Sequence, residues 1–311
     1  MTEIVRLADP ASGVEVTVVP AVGNMAIEMK VRGRNILWFP YESVEEFAAA
    51  PALCGIPFLG PWANRIDGDT YWVNGRQHLL NPALGNLRRD SNGLAIHGLL
   101  NYSPLWTVVD QGPTHVTSRI EFWRHPLLMA QFPFAHNLTM TYRLANGELE
   151  VATRIENLSV DPMPVAVGYH PYFQVHDAPR DDWRAHIAAR DRLILNERLT
   201  PTGEISPIGF AGPHPLKSSQ LDDVFASLVP DPDGRARFWV EGLRERVTVT
   251  YGPRYTVAVV YAPAGKDFIC FEPMAAVTNA FNLAHEGVYD GLQSIAPGES
   301  WQESFWIAAG L

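Results

Sequence analysis

The strongest constraint on the fold is a pair of alternating runs around Asn146-Gly147. From Asn137 to Ala145 the chain reads NLTMTYRLA, with Leu138, Met140, Tyr142 and Leu144 set against polar neighbours. After the Asn-Gly comes ELEVATRIEN, with Leu149, Val151 and Ile155 on one face. A period of two buries one face of a strand, and Asn-Gly readily takes the positive φ angles of a type I′ turn. The segment therefore predicts a long hairpin whose apolar face needs a partner layer. A second Asn-Gly, Asn74-Gly75, lies between TYWV and RQHLL and predicts another hairpin. VEVTVVP, VTSRIEFW, RVTVTYG, YTVAVVYAP and FICFEP add strand candidates rich in β-branched and aromatic residues. Helical signals are few: Ser43-Val44-Glu45-Glu46 fits a capping box before FAAAP, and Pro51 ends any helix after about two turns. Many strands, frequent turns and little helix point to an all-β sandwich or barrel. No Gly/Ser linker or 20–50-residue repeat divides the chain, so residues 1–311 read as one domain.

Charge narrows the partners. The formal net charge is −10, and Lys and Arg form no run or stripe. A phosphate backbone or an anionic membrane surface is repelled rather than recruited, so neither nucleic acid nor membrane is an expected partner. No apolar run approaches the ~20 residues that span a bilayer. The N-terminus, MTEIVRLADPASG, lacks a basic region followed by an apolar stretch, which argues against a signal peptide and for the cytoplasm. Cys54 and Cys270 are too few for a disulfide framework and read as buried free thiols.

Reactive polar residues gather with aromatics and turn formers in a few segments. These are Gly60-Pro61-Trp62-Ala63-Asn64-Arg65-Ile66, Ala95-Ile96-His97-Gly98, Val167-Gly168-Tyr169-His170-Pro171-Tyr172-Phe173, Leu221-Asp222-Asp223-Val224-Phe225 and Phe268-Ile269-Cys270-Phe271-Glu272-Pro273-Met274. Singly, most have an ordinary explanation. Arg65 suits a surface ion pair, His97 beside Gly98 a turn with its ring bonded to backbone, His170 a satisfied core position, and Asp222 or Asp223 the cap of a short helix. Glu272 is different. It interrupts a strand that otherwise reads as buried, and an unpaired buried carboxylate costs several kcal/mol or shifts its pKa. It needs a partner or a task.

In order, NRI with Tyr71 and Gly75, IHG, HPYF, DDVF, and FEP with Asn279-Ala280-Phe281-Asn282 resemble the landmarks of the aldose 1-epimerase (galactose mutarotase-like) family, from Asn64 to Asn282. The resemblance implies a single-domain β-supersandwich with an open cleft. It implies a catalytic His at His170 and a catalytic Glu at Glu272. It implies sugar-binding positions at Arg65, His97 and Asp222, to which Asn64 of NRI and Tyr172 of HPYF are added as candidates. Asp222 is preferred to Asp223 because the landmark reads Asp, two residues, then an aromatic, here Phe225. The galactose enzymes follow the catalytic Glu with a small hydroxyl residue and Gln, whereas this chain has Pro273 and Met274. Galactose as the particular sugar therefore does not follow.

The implied activity is interconversion of α and β anomers of a free monosaccharide, with no cofactor and no metal, by a monomer or homodimer. Glu272 is expected to be the base at O1 and His170 the acid at O5, kept protonated near neutral pH by neighbouring carboxylates. Trp62, Tyr71, Tyr172 or Phe271 are candidates for an apolar floor. Rival readings are a glycoside hydrolase using Glu272 and Asp222, a metal enzyme drawing on His97, His170, His176 and Glu272, and a non-catalytic sugar-binding module. A hexose-6-phosphate epimerase, or a mutarotase for another charged sugar, calls for extra Lys or Arg. The acidic balance and the absence of a basic cluster weigh against it.

Overall fold

The computed structural model describes residues 2–210, 212–217 and 219–310, so Met1, Ala211, Ser218 and Leu311 of the expected 1–311 domain lie outside it. His136–Ala145 and Glu148–Asn157 form an antiparallel pair closing on Ala145↔Glu148. Asn146 and Gly147 have φ of 53° and 77°, the two positive angles that a type I′ turn requires. Thr70–Val73 and Arg76–Leu79 close in the same way on Asn74 and Gly75.

Nine strands build one sheet. Their order is Thr107–Gly112, His115–Glu121, His136–Ala145, Glu148–Asn157, Ser300–Gly310, Arg246–Tyr251, Ala236–Glu241, Arg184–His186, His214–Pro215. The strand nearest the C-terminus, Ser300–Gly310, thus sits in the middle, paired with Glu148–Asn157 on one side and Arg246–Tyr251 on the other. A second sheet runs Pro201–Pro207, Ala189–Leu195, Leu221–Leu228, Val257–Ala262, Ile269–Met274, Gly168–Tyr169, Phe58–Leu59, and Tyr172–Phe173 also pairs with Ile269–Met274. Inward side chains of the two sheets meet: Phe238 lies 6.0 Å from Phe271 and Tyr169 4.8 Å from Phe305, ring centre to ring centre. The hydroxyls of Thr153 and Tyr169 meet across the layers at 2.5 Å. The fold is an all-β sandwich, as the alternating runs imply.

Three details differ from the sequence reading. VTSRIEFW is a strand only to Glu121; Phe122–Arg124 turns into a short 3₁₀ segment, and Phe122 is buried against the His136 ring at 4.2 Å. Ser43 caps the helix Val44–Ala49 by accepting from the Glu46 N–H at 3.1 Å, but the Glu46 carboxylate returns to the N–H of Glu42, one residue ahead of the cap. Asp222 and Asp223 cap no helix. They lie in the strand Leu221–Leu228, whose Val224 and Phe225 pair into the second sheet. Among the described residues the three α-helices have six residues each, and no helix is long and apolar enough to cross a membrane. Cys54 and Cys270 are buried free thiols.

Candidate active site

Strand register assembles the site on the outer face of the second sheet. Successive strand residues point to opposite faces. Phe271 points into the sandwich against Phe238 and Phe173, so Cys270 and Glu272 point the other way. Directly opposed residues share a face. One row across the sheet is therefore Asp222, Tyr261, Cys270 and Tyr172, and the next contains Val224, Val259 and Glu272. The strand pattern delivers a carboxylate, a second acid and two tyrosines to one surface without any loop.

The other polar groups arrive on sharp turns. His97 (φ 62°) and Gly98 (φ 67°) are both left-handed, and a Cβ on Gly98 would stand 2.2 Å from the Gly60 carbonyl oxygen. Only glycine lets these two backbones approach so closely. Asn64 is left-handed too, with φ 53°, and its carbonyl accepts the His97 N–H at 2.8 Å. Arg65 pairs with Ile96. His170 leaves the Gly168–Tyr169 strand with its N–H bonded to the Pro57 carbonyl at 3.0 Å.

These pieces enclose a cleft of about 250 Å³ lined by Asn64, Arg65, His97, His170, Tyr172, Asp222 and Glu272, together with Leu53, Ile96, Val259 and Tyr261. The seven residues singled out from the sequence thus share one cavity. Of the four proposed floor aromatics only Tyr172 lines it, stacked on His170 at 4.7 Å. Trp62, Tyr71 and Phe271 belong to the core. Tyr71 spends its hydroxyl on the Gln131 carbonyl at 2.8 Å. Among the described residues the His97 ring meets no backbone partner; it stands edge-on to His170 at 5.6 Å with Nδ1 unpartnered.

His170 and Glu272 face each other, Nε2 to Oε1, at 3.3 Å, and Glu272 is 1% exposed. The other carboxyl oxygen, Oε2, has no hydrogen-bond partner among the described residues. Burial pushes the Glu272 carboxyl well above the usual carboxylate range; Asp222 pushes the same way and Arg65 opposes. Burial also pulls the His170 imidazole down to about 3, opposed by a backbone hydrogen bond and assisted by the Arg88 charge. Burial therefore works against the charged form of both partners. The direction for His170 runs against the expectation of a protonated imidazole. Nearby carboxylates favour imidazolium only when they are ionised, and here desolvation disfavours ionisation of the nearest one.

Arg65 is fixed from two sides. Its Nε donates to Asp90 Oδ2 at 2.6 Å, and its carbonyl accepts the Asn279 N–H at 2.8 Å. Asn279 Oδ1 accepts from the Asp67 N–H and from Asn282, whose own Oδ1 takes the Trp72 N–H. The Asn279-to-Asn282 landmark thereby clamps the segment that carries Arg65. Burial pushes Asp90 up, but the Arg65 bond and the Leu94 and Asn92 N–H groups outweigh it and hold the carboxylate below its ordinary range. Asp90, Leu53, Val259 and Tyr261 escaped the sequence reading. Asp90 had a legible signal in Asp-Ser-Asn-Gly, a turn former after two arginines; the other three signal only strand or loop. Asp90→Asn should free the Arg65 guanidinium and raise KM for a substrate held in the cleft roughly tenfold with a smaller change in kcat. Steady-state kinetics reading an unchanged KM would show that Arg65 needs no such anchor.

The group of ligand-type atoms present differs from the metal set considered above. His170, Cys270 and Glu272 offer atoms within 4.8 Å of one another, whereas His176 engages the Asn35 carbonyl at 2.7 Å. Burial, followed by Glu272 and Asp222, pushes the Cys270 thiol well up, and a thiol must deprotonate to bind a metal. Cys270 is better suited to packing than to holding an ion.

Comparison with known proteins agrees with this architecture. The Aldose 1-epimerase family model matches residues 4–308. The uncharacterized protein YphB of Escherichia coli (strain K12) is 24% identical over 253 residues, 78% of this chain and 79% of that protein. Human galactose mutarotase is 30% identical over 156 residues, 48% of this chain and 42% of the human protein. A galactose mutarotase-like protein from Clostridium acetobutylicum superposes with a TM-score of 0.84 at 22% identity, covering 99% of this chain and 98% of that one. A family match over nearly the whole chain, on a sandwich of the same fold, identifies this protein as a member of the aldose 1-epimerase family.

Proposed function

We propose that the chain is a mutarotase that interconverts the α and β anomers of a free monosaccharide. The observation that carries the reading is the His170–Glu272 contact of 3.3 Å inside a cleft lined by Arg65, His97 and Asp222. Anomer exchange opens the ring to an aldehyde, turns about C1–C2 and closes on the other face. Opening takes the O1 proton and gives one to O5 as the C1–O5 bond breaks and O1 becomes the carbonyl oxygen.

The neutral pair is one proton hop from the working state. Carboxyl plus imidazole and carboxylate plus imidazolium hold the same number of protons, so passage from Glu272 to His170 needs none from solvent. Sugar hydroxyls at the unpartnered Glu272 Oε2, with the charge of Arg65, favour the ionised form. Glu272 then takes the O1 proton and His170 supplies O5; closure reverses the roles and restores the pair. Each positioned acid or base is worth ~10²–10⁴-fold. Asp222 accepts from a sugar hydroxyl, Asn64 and His97 donate or accept, and Tyr172 offers an apolar ring face to the sugar C–H groups.

The test is polarimetry on freshly dissolved α-aldoses, with spontaneous mutarotation subtracted. Acceleration across a panel of aldoses is expected, undiminished by exhaustive chelation. Loss of rate on chelation, restored by one divalent ion, would favour a metal-assisted reaction. Release of an aryl group from an aryl glycoside would favour a hydrolase.

A further inference from the structure

The acid–base pair straddles a seam in the second sheet. Gly168 is in register with Met274 and Tyr172 with Cys270. Between them, His170 stands opposite Glu272, Tyr169 opposite Pro273 and Phe271 opposite Pro171. The Ala275 N–H donates to the Val167 carbonyl at 2.9 Å. In an antiparallel ladder the pairs that exchange such bonds alternate with those that do not, so the next exchanging pairs are Tyr169 with Pro273 and Phe271 with Pro171. The two ladder bonds that border His170 and Glu272 therefore need N–H groups on residues 171 and 273. Proline has none. Each member of the pair is followed by the proline that removes one bond: His170-Pro171 and Glu272-Pro273.

Proline is out of place in such a strand. Ile269–Met274 is paired on both sides, whereas proline within sheets is confined to edges, first residues of strands and bulges. Neither proline is among the residues that line the cleft. The two halves of the seam are held from outside instead. The His170 N–H donates to the Pro57 carbonyl at 3.0 Å and the Tyr172 N–H to the Gly55 carbonyl at 2.8 Å, while Glu272 is in register with Val259. Neither of the two bonds that would clamp the pair across the seam can form.

We infer that Pro171 and Pro273 are positioning residues: by removing these two donors they leave the seam compliant at His170 and Glu272. The inference rests on the mutarotase reading, which asks two things of the pair. The proton hop needs contact, seen at 3.3 Å. The work on the sugar needs the two groups on different oxygens, O1 and O5. A closed ladder holds directly opposed residues of this kind about 4.5 Å apart, Cα to Cα, with their side chains close together. That favours the first demand and opposes the second.

The experiment restores the donors. Pro273→Ala supplies an N–H toward the Tyr169 carbonyl and Pro171→Ala one toward the Phe271 carbonyl. Pro273→Val supplies the same N–H as Pro273→Ala with a larger side chain. Crystal structures of the variants should show the restored bond at about 2.9 Å. NMR anomer exchange on D-glucose, D-galactose and D-xylose should show kcat lowered roughly tenfold in all three variants, with KM little altered. Both limbs of the pH profile should be displaced, because spacing sets how strongly the pair is coupled. A bond that forms with kcat and the pH limbs unaltered overturns the inference. So does a restored N–H that stays unbonded, or a loss in Pro273→Val that Pro273→Ala does not share, which would mark packing as the cause. Should one position not tolerate the change, the other carries the same test. A wild-type protein that accelerates no aldose removes the mutarotase reading. The His170 ring titration, followed by NMR in Pro273→Ala and Pro171→Ala, then decides, and an unaltered titration overturns the inference.

Discussion

Glu272→Gln should lower anomer exchange at least ~100-fold and at the same time raise the melting temperature. Glutamine keeps the shape of the side chain but takes no proton from O1. The gain in stability follows from linkage. Burial raises the folded-state pKa of Glu272, so stability is full below the ordinary carboxylate range and erodes as pH rises toward the folded value, because the unfolded chain ionises first. At neutral pH the wild-type protein bears that loss, and glutamine does not. A gain on the order of 1 kcal/mol is expected, in the range of ordinary stabilising substitutions. Thermal melts at pH 7 and pH 4 test it, since the advantage of the variant should shrink at the lower pH. A variant with more than about a tenth of wild-type rate would remove Glu272 from proton transfer, where loss of a positioned base costs ~10² or more.

His170→Asn should also lose at least ~100-fold, and the residual rate should have lost the acid limb of the pH profile. The pair works while it holds one proton. At low pH it takes up a second, on an imidazole that burial has pulled down to about 3, and no base is left. At high pH the raised Glu272 carboxyl gives up its proton, and no acid is left. The profile is bell-shaped, with the imidazole on the acid side and the carboxyl on the alkaline side. This is the reverse of what unperturbed pKa values give. Strong coupling makes each limb a property of the pair, but the order of the limbs stands because burial moves the two groups in opposite directions. The neighbours Arg65, Arg88, Asp222 and His97 set the width of the plateau. An acid limb that survives unchanged in His170→Asn would assign it elsewhere, with His97 the next histidine to test.

What the sequence made legible divides along physical lines. The Asn146-Gly147 hairpin was readable because turn chemistry and alternation are local and agree. The position of Ser300–Gly310 between Glu148–Asn157 and Arg246–Tyr251 was not, because strand order depends on pairings between distant segments. At the site, Glu272 was conspicuous because a carboxylate in FICFEPM violates the pattern around it. Asp90 lies among exposed turn formers and violates nothing; its importance appears only when Arg65 is seen against it. The downward pull of burial on His170 was illegible for a related reason. Sequence shows which charged residues exist, whereas desolvation depends on how tightly they are enclosed.

The central place of Ser300–Gly310 has a consequence for how the protein is made. On the ribosome, a nascent chain ending before residue 300 already contains Glu148–Asn157 and Arg246–Tyr251, but the strand that joins them does not yet exist. Each then presents an open edge with unpaired N–H and C=O groups, which invites pairing with another chain. The nine-stranded sheet can become continuous only after Ser300–Gly310 has been synthesised and inserted between them. A chain truncated within this strand leaves the sheet in two parts, and the demand for chaperones falls on the interval before the strand is inserted.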